Sequence, residues 1–443
     1  MAISRSSVAF HTLGCKVNHS DTARLERAFI GAGFRVVDFS DLADVFIINS
    51  CTVTSTASRK SRQILRRARR QHPGAIVALI GCYPEVAQKM GPEFPEYGAA
   101  FSLPADVFAG LVEPGEVVAR VERLLHAPPP AGDGHRDIPR PTRPVVVAQT
   151  GCDGRCTYCI IPTARGPLNS VPLGRVVEEV REHVDSGARE IVLAGIHLGA
   201  YGKDGGSHAG LGRLVQSITS IPGEWRLRLS SLEPMDLDSR LLEEIAENPK
   251  VAPHLHLPLQ SGSDTVLRRM GRGYTAKQYG DLLERARSRR PNLGISTDIM
   301  VGFPGESECE HRESLEFARS AGFTRTHVFP YSPRPGTPAA RLPDRVDGET
   351  VLRRRDEFLR LAEESALSFH RSQVGRTVRV LLEEESRDSW GDPRTFRGYA
   401  GNYLPVEVDA NPGDRPGDLV SVILEAADGT ECIGRSLSKE PLN

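Results

Sequence analysis

Cys152, Cys156 and Cys159 stand in the spacing CxxxCxxC within GCDGRCTYC, Gly151–Cys159. Three thiolates this close, on a loop opened by Gly151 and Gly154, can converge on one soft metal centre. Iron–sulfur clusters take thiolate ligands, usually four. Three leave one iron of a cubane open to chelate a small molecule through nitrogen and oxygen. The competing readings are a zinc knuckle and a disulfide pair. Zinc asks for a fourth Cys or His close by, and none follows within the next several residues.

A second trio emerges from the elements before that loop. Val8–Thr12 reads as a strand, followed by Gly14, Cys15 and Asn18; Val45–Asn49 and Ile76–Ile80 are apolar runs of the buried parallel-strand type, followed by Cys51 and Cys82. Asp21–Ile30 between them reads as a helix with Asp21 near its N-cap, and Ile64–Arg70 lies on a basic helix. Alternating strands and helices imply a parallel sheet with right-handed crossovers, whose C-terminal strand ends share one edge. Cys15, Cys51 and Cys82 each follow a strand end, so the topology predicts a second three-cysteine cluster; the alternative is three buried structural cysteines. Arg59, Lys60, Arg62, Arg66, Arg67, Arg69 and Arg70 form a dense basic run directly after Cys51. It reads either as a solvated helix face or as a phosphate contact.

The chain has 443 residues, 39% hydrophobic and 26% charged, which fits a globular protein of about three domains. Met1–Ser7 lacks the apolar run of a signal peptide and no apolar stretch is long enough to span a bilayer, so a cytoplasmic location without a membrane partner is expected. Eight cysteines in a reducing compartment point to metal or catalysis rather than disulfides. The net charge of −1 does not argue for nucleic acid, but residues 1–126 carry +3 and the last 73 carry −4. Residues 127–144 are a Pro-rich, extended linker.

Downstream of the linker, Val145–Gln149, Glu190–Ala194, Trp225–Ser230, His254–Pro258, Leu293–Ile299 and Thr324–Pro330 read as strands with helical patterns between them. Six β/α units fit an open, partial (β/α) barrel, whose sites lie at the C-terminal mouth. Just past these strands stand the loop Gly195–Gly202, Ser230, Ser231, Glu233, Gln260, Ser261, Asp298, Gly302 and Gly305. Glycines admit a ligand close to the backbone, and the hydroxyls and carboxylates suit the ribose, amino and carboxylate groups of a nucleoside-like cofactor. Arg165 and Arg268 are candidates for its carboxylate or for an RNA phosphate, with a solvated role as the equal alternative for either. Cys309 and Cys432 have no spaced partner and read as bystanders. In the last 73 residues about five short β-type runs suggest a small closed barrel, with Trp390, Phe396, Tyr399 and Tyr403 as candidates to stack on bases. Glu383–Glu385 would repel phosphate, which keeps a docking or spacer role open.

LGCKVN (Leu13–Asn18), NSCTVT (Asn49–Thr54), GCYPE (Gly81–Glu85), GCDGRCTYCIIPTARG (Gly151–Gly166), HLPLQSGSD (His254–Asp264) and TDIMVGFPGE (Thr297–Glu306) resemble the radical S-adenosylmethionine (SAM) methylthiotransferases along nearly the whole chain. LGCKVN and ASRKSRQILRRARR look most like the branch acting on threonylcarbamoyladenosine in tRNA. The resemblance implies an α/β architecture in three parts: an N-terminal parallel-sheet domain over 1–126 with an auxiliary cluster, a partial (β/α)6 radical SAM barrel over 145–370, and a TRAM-like β-barrel over 371–438. It implies two 4Fe–4S clusters, one on Cys152, Cys156 and Cys159 and one on Cys15, Cys51 and Cys82. It further implies SAM, with Ser231, Glu233, Gln260, Ser261 and Asp298 as its candidate contacts. The implied reaction inserts sulfur and a methyl group at C2 of the modified adenosine 3′ of the anticodon. The partner is then a tRNA anticodon loop; reductant and sulfur donor are unidentified. Thr150, Pro84, Glu85 and Leu168 depart from the family pattern without removing a ligand. Isopentenyladenosine tRNA and a ribosomal-protein aspartate are alternative substrates. An RNA-binding iron–sulfur sensor is the alternative of another class.

Overall fold

Apolar runs of six residues organise the N-terminal part. In the computed structural model, which describes residues 6–125, 134–139, 141–205, 210–386 and 395–437, the elements there run β1 (Ser7–Thr12), α1 (Lys16–Gly31), β2 (Arg35–Val37), β3 (Val45–Ser50), α2 (Ser55–Gln71), β4 (Ile76–Gly81), α3 (Cys82–Met90), α4 (Pro95–Gly98), β5 (Val107–Ala109), α5 (Pro114–Glu122) and β6 (His135–Arg136). The strands form one parallel sheet in the order β5-β4-β3-β1-β2-β6. β3 and β4 are buried at every position because helices cover both faces. Phe46, Ile48, Val77 and Leu79 enter one core, and Val45, Ile47, Ala78 and Ile80 enter another, as a side-chain period of two requires.

Two expectations change here. The first helix begins at Lys16, five residues before Asp21, with Cys15 at its N-cap. No side chain caps that end; instead Asn18 Nδ2 donates to Leu13 O at 2.8 Å and Ser50 O at 3.0 Å, which fixes the first turn from within. The described part of the Pro-rich stretch is not all linker, because His135–Arg136 pairs with β2 and Arg136 reaches Glu26.

The chain then runs through β7 (Val145–Thr150), α6 (Ile161–Arg165), β8 (Asn169–Ser170), α7 (Leu173–Asp185), β9 (Glu190–Gly195), α8 (Leu211–Thr219), β10 (Arg226–Leu229), α9 (Ser239–Glu247), β11 (His254–His256), α10 (Asp264–Arg269), α11 (Ala276–Arg289), β12 (Gly294–Val301), α12 (Glu308–Ala321), β13 (Arg325–Pro330) and α13 (Gly348–Gln373). β10-β9-β7-β8 and β11-β12-β13 form two sheets, joined through parallel bridges at Leu227–Val251 and Ser231–His256. The result is the open barrel that six β/α units imply, around one large aliphatic core. β14 (Thr377–Ser386), β15 (Thr395–Ala400), β16 (Pro405–Asp409), β17 (Leu419–Ala427) and β18 (Cys432–Ser436) close into a five-stranded barrel in the order β14-β15-β16-β18-β17. No helix among the described residues is long and apolar enough to cross a membrane.

Packing divides the chain into two units. One comprises Met1–Pro141, Thr150–Pro167 and Ser332–Arg341; the other comprises Thr142–Gln149, Leu168–Tyr331 and Leu342–Asn443. In the second unit the small barrel is fixed at the N-terminal ends of the large barrel's strands. Arg226 and Arg228 of β10 donate to the carbonyls of Arg379, Tyr399, Ala400 and Gly401 at 2.8–3.2 Å. Tyr403 stacks on His254 and Tyr399, with the guanidiniums of Arg143 and Arg228 over its ring. Tyr399 and Tyr403, read from sequence as base-stacking candidates, are therefore engaged inside the unit. Phe396 is buried in the small barrel's core because its strand turns Phe396, Gly398 and Ala400 inward. Trp390 lies outside the described residues.

Candidate functional site

β1, β3 and β4 are neighbours in a parallel sheet, so their C-terminal ends share an edge. Cys15 caps α1, Cys51 directly follows β3, and Cys82 follows β4 as the first residue of α3. The thiols of Cys15 and Cys82 each donate to Asn18 Oδ1 at 3.8 Å. Gly14, at φ +109°, lies so close to Cys51 that a Cβ there would stand 2.9 Å from Cys51 Cβ and 3.1 Å from its Sγ. The three cysteines thus gather around Gly14 and Asn18. Cys15 and Cys82 both sit at helix N-termini.

A cation completes this edge. Arg165, at the end of α6, places Nη2 at 2.5 Å from Asn18 Oδ1 and 2.8 Å from Asp21 Oδ2, with only 4% of its side chain exposed. Its charge is also felt at the Cys82 thiol. Burial pushes the Cys82 thiol up and Arg165 offsets this only in part, leaving it at about 12; burial likewise raises Cys51. A metal that displaces these protons would find thiolates already facing a fixed positive charge. Arg165 was a sequence candidate for a cofactor carboxylate or an RNA phosphate; the structure pairs it with Asp21 and Asn18. Arg268 is exposed on α10.

The CxxxCxxC loop belongs to the same unit. Gly151 adopts φ +68°, and a Cβ there would meet Pro167 O at 1.7 Å, so only glycine fits. Cys152 N–H donates to Gly166 O at 3.0 Å, Gly154 N–H to Cys152 Sγ at 3.2 Å, and Cys159 N–H to Cys156 O at 3.1 Å. Ile160 and Ala164 anchor the following turn in the core beside Phe46, Leu65 and Tyr83. Segment 332–341 holds both cysteine loops. Arg334, 1% exposed, donates to Thr52 Oγ1 at 2.8 Å, Tyr97 OH at 2.7 Å and Ser58 Oγ at 3.3 Å and pairs with Glu96 at 3.0 Å. Ala339 N–H donates to Thr157 O at 2.8 Å, between Cys156 and Cys159.

No cysteine is in a disulfide, and among the described residues no three His, Cys, Asp or Glu side chains close up around a single ion.

In the second unit the candidate contacts differ in kind. Gln260, 7% exposed, has φ +69°, rare for a residue with a Cβ, and its buried Oε1 has no hydrogen-bond partner. Ser230 Oγ, at the end of β10, is also buried without a partner. An unmet acceptor and hydroxyl at the C-terminal ends of barrel strands fit a polar ligand. Glu233 is held by both nitrogens of Arg272, and Asp298 lies 3.3 Å from His256 Nε2. Ser231 is exposed. Ser261 is buried, its hydroxyl on Ser314 Oγ at 2.9 Å and accepting from Ser263 N–H at 3.2 Å, so it serves the local fold. Two groups escaped the sequence reading: Arg334, and the cluster in which Asp236 accepts from Lys203 at 2.6 Å and pairs with His197 at 2.7 Å. Burial pushes Asp236 up, but His197 and Lys203 outweigh it and hold it below the usual carboxylate range. The GIHLGAYG loop was the available signal for His197; nothing local marks Arg334. Cys309 is exposed, and Cys432 is buried in the small barrel.

The model of the radical SAM superfamily matches residues 146–318, and that of the uncharacterized protein family UPF0004 matches residues 7–97. The threonylcarbamoyladenosine tRNA methylthiotransferase MtaB of Bacillus subtilis (strain 168) is 36% identical over 95% of this chain and 94% of its own length. The tRNA-2-methylthio-N(6)-dimethylallyladenosine synthase of Clavibacter michiganensis subsp. michiganensis is 33% identical over 97% of this chain and 83% of its own. The fold is shared with the radical SAM methyltransferase TsrM from Kitasatospora setae, solved with tryptophan and a SAM analogue, at a TM-score of 0.52, 15% identity and coverage of 76% and 75%. Identity at that level over nearly full length, with six cysteines on the motifs described, means that the chain belongs to the radical SAM methylthiotransferase family.

Proposed function

We propose that this enzyme inserts sulfur and a methyl group at C2 of N6-threonylcarbamoyladenosine, the base 3′ of the tRNA anticodon, using two 4Fe–4S clusters and SAM. The observation that carries the reading is the presence of two cysteine trios in one packing unit, with Arg165 of the CxxxCxxC segment bound to Asn18 at the other trio. The name of the 36%-identical relative, a threonylcarbamoyladenosine tRNA methylthiotransferase, supports the substrate.

Cys152, Cys156 and Cys159 would hold the cluster that would supply the electron for SAM cleavage, and Cys15, Cys51 and Cys82 would hold the one that would carry the sulfur to be inserted. The protein's own part is positioning and charge. The six thiols act as deprotonated ligands. In the free protein Asn18 Oδ1 accepts from both the Cys15 and Cys82 thiols; once a metal displaces those protons, Arg165 beside them offsets the negative charge. Gln260 Oε1 and Ser230 Oγ are the acceptor and hydroxyl proposed for SAM's polar groups, beside Glu233 and Asp298, which Arg272 and His256 orient. An unactivated aromatic C–H bond lies outside the reach of acid–base side chains, which is why the cofactors carry that step. A single-stranded anticodon loop can splay its base out for it.

The test is anaerobic incubation of reconstituted, reduced protein with SAM and tRNA, followed by nucleoside mass spectrometry. The methylthio form of threonylcarbamoyladenosine is the expected product. A methylthio form of the dimethylallyl nucleoside instead would move the chain to the other branch. No methylthio nucleoside, with SAM still cleaved, would remove the reading.

A further inference from the structure

We infer that the outer face of α2 is a docking surface for the phosphate backbone of the tRNA. The inference rests on the tRNA reading above and adds the place where the RNA is held. α2 carries seven basic residues and no acidic one in 17 positions. Two of the seven are used by the fold: Arg62 donates to Tyr83 OH at 3.2 Å, and Arg69 reaches Asp106 and donates to Ala75 O at 2.9 Å. The other five, Arg59, Lys60, Arg66, Arg67 and Arg70, are exposed. Among the described residues Arg59, Lys60, Arg66 and Arg70 make no hydrogen bond or ion pair, and Arg67 contacts only Gln71 of its own helix.

Helical periodicity sets these five within about 120° of one another around the axis and along about 16 Å of it. Leu65, Ala68, Ser58 and Ser61 are buried on the opposite side. A protein of net charge −1 that keeps five unneutralised cations on one face bears their mutual repulsion in the free state. A polyanion removes it. The face has no aromatic residue to stack on bases and no exposed apolar residue to enter a lipid surface, so its chemistry is that of a backbone reader. Arginine forks match phosphate oxygens in pairs. The helix begins four residues after Cys51, with Thr54 as its cap, so one end of the face starts beside the N-terminal cysteine trio. A stem leading away from a base held near that trio would run along it.

The experiment measures binding of full-length threonylcarbamoylated tRNA to the reconstituted holoenzyme by anisotropy, across 50–300 mM salt. The test variant is Arg59→Glu/Arg66→Glu/Arg70→Glu. A control of equal charge change is Arg175→Glu/Arg181→Glu/Arg213→Glu on α7 and α8. Expected for the test variant are a Kd raised about 30-fold or more at 0.1 M salt and a salt slope smaller by about 2 to 3, against little change for the control. Iron content and tRNA-independent SAM cleavage are expected to stay at wild-type level, and the milder Arg59→Gln/Arg66→Gln/Arg70→Gln, checked by circular dichroism, should fall between. Kd and slope within twofold of wild type, or an equal loss in the control, would overturn the surface while leaving the tRNA reading intact. Competition by polyglutamate as strong as by tRNA would assign the face to an acidic protein and overturn it too. A wild-type holoenzyme that binds no tRNA would sink the underlying reading as well as this one.

Discussion

Arg165 Nη2 stands 2.8 Å from Asp21 Oδ2, in a pair that leaves 4% of the arginine and 25% of the aspartate side chain exposed. The partners come from segments 144 positions apart, the CxxxCxxC region and the first helix. Arg165→Met leaves Asp21 partly buried and Asn18 Oδ1 without its cation. Because Asp21 is a quarter exposed, the expected loss is about 2 kcal/mol, below that for a fully buried pair. Urea unfolding in a double-mutant cycle with Asp21→Asn should give a clear coupling energy. In a Cys152→Ala/Cys156→Ala/Cys159→Ala background, the proposed N-terminal cluster is the one left to hold iron. Adding Arg165→Met there is expected to lower iron well below the about four atoms of one cubane. Full retention would show that the cation serves only the fold.

Among the described residues Arg334 has no charged partner but Glu96, yet three hydroxyls of the first unit accept from it. A lysine offers a point charge that cannot reach this set, and methionine offers no donor at all. Arg334→Met is expected to cost about 3 kcal/mol or more in unfolding free energy, with Arg334→Lys only partly better. The loop carrying Cys51 and Thr52 should open first. Hydrogen exchange at residues 52–58 in the variant checks this, and protection equal to wild type would count against it.

Gln260 separates stability from binding. Its φ of +69° costs about 1 kcal/mol or more, which glycine relieves. Gln260→Gly should therefore leave thermal stability equal or raised while weakening SAM binding about tenfold, through loss of one polar contact. Equilibrium dialysis of SAM alongside a melting curve reads both. Unchanged SAM affinity would remove Gln260 from the proposed contacts.

These cases show which parts of the molecule its sequence makes legible. Cys15, Cys51 and Cys82 could be gathered before any coordinates because the apolar runs of β3 and β4 are unmistakable and parallel topology puts their ends together. The five strands of the C-terminal barrel were legible through their turn residues. The inward position of Phe396 was equally available from the alternation in TFRGYA, which turns Phe396, Gly398 and Ala400 to one side. The start of α1 was hidden because a cysteine occupies its N-cap and the side chain that fixes the turn, Asn18, bonds to Ser50, 32 residues away. Arg165 and Arg334 were misread or missed for the same reason. Their partners lie 144 to 282 residues off, and no local pattern encodes such a pairing.

Glu190 yields a prediction in pH. The carboxylate is fully buried and lies 2.5 Å from Arg226 Nε and 2.6 Å from Arg228 Nε, the two side chains that hold the small barrel's carbonyls. Burial pushes its acidity down, but the two guanidiniums more than offset that and keep Glu190 well below the usual carboxylate range. A depressed folded-state value means that the unfolded chain takes up the proton first. The stabilisation from Glu190 is therefore complete above the unfolded glutamate value of about 4.3 and fades as pH falls below it. Glu190→Gln keeps the shape but leaves two buried guanidiniums without their counter-charge, at a cost of about 3 to 5 kcal/mol at pH 7. That gap should shrink steadily between pH 4.5 and pH 3, because acid removes from the wild type what the variant already lacks. Urea unfolding of both proteins across this range reads the slope. A gap that stays constant down to pH 3 would mean that shape, and not the ionised carboxylate, holds the two barrels together.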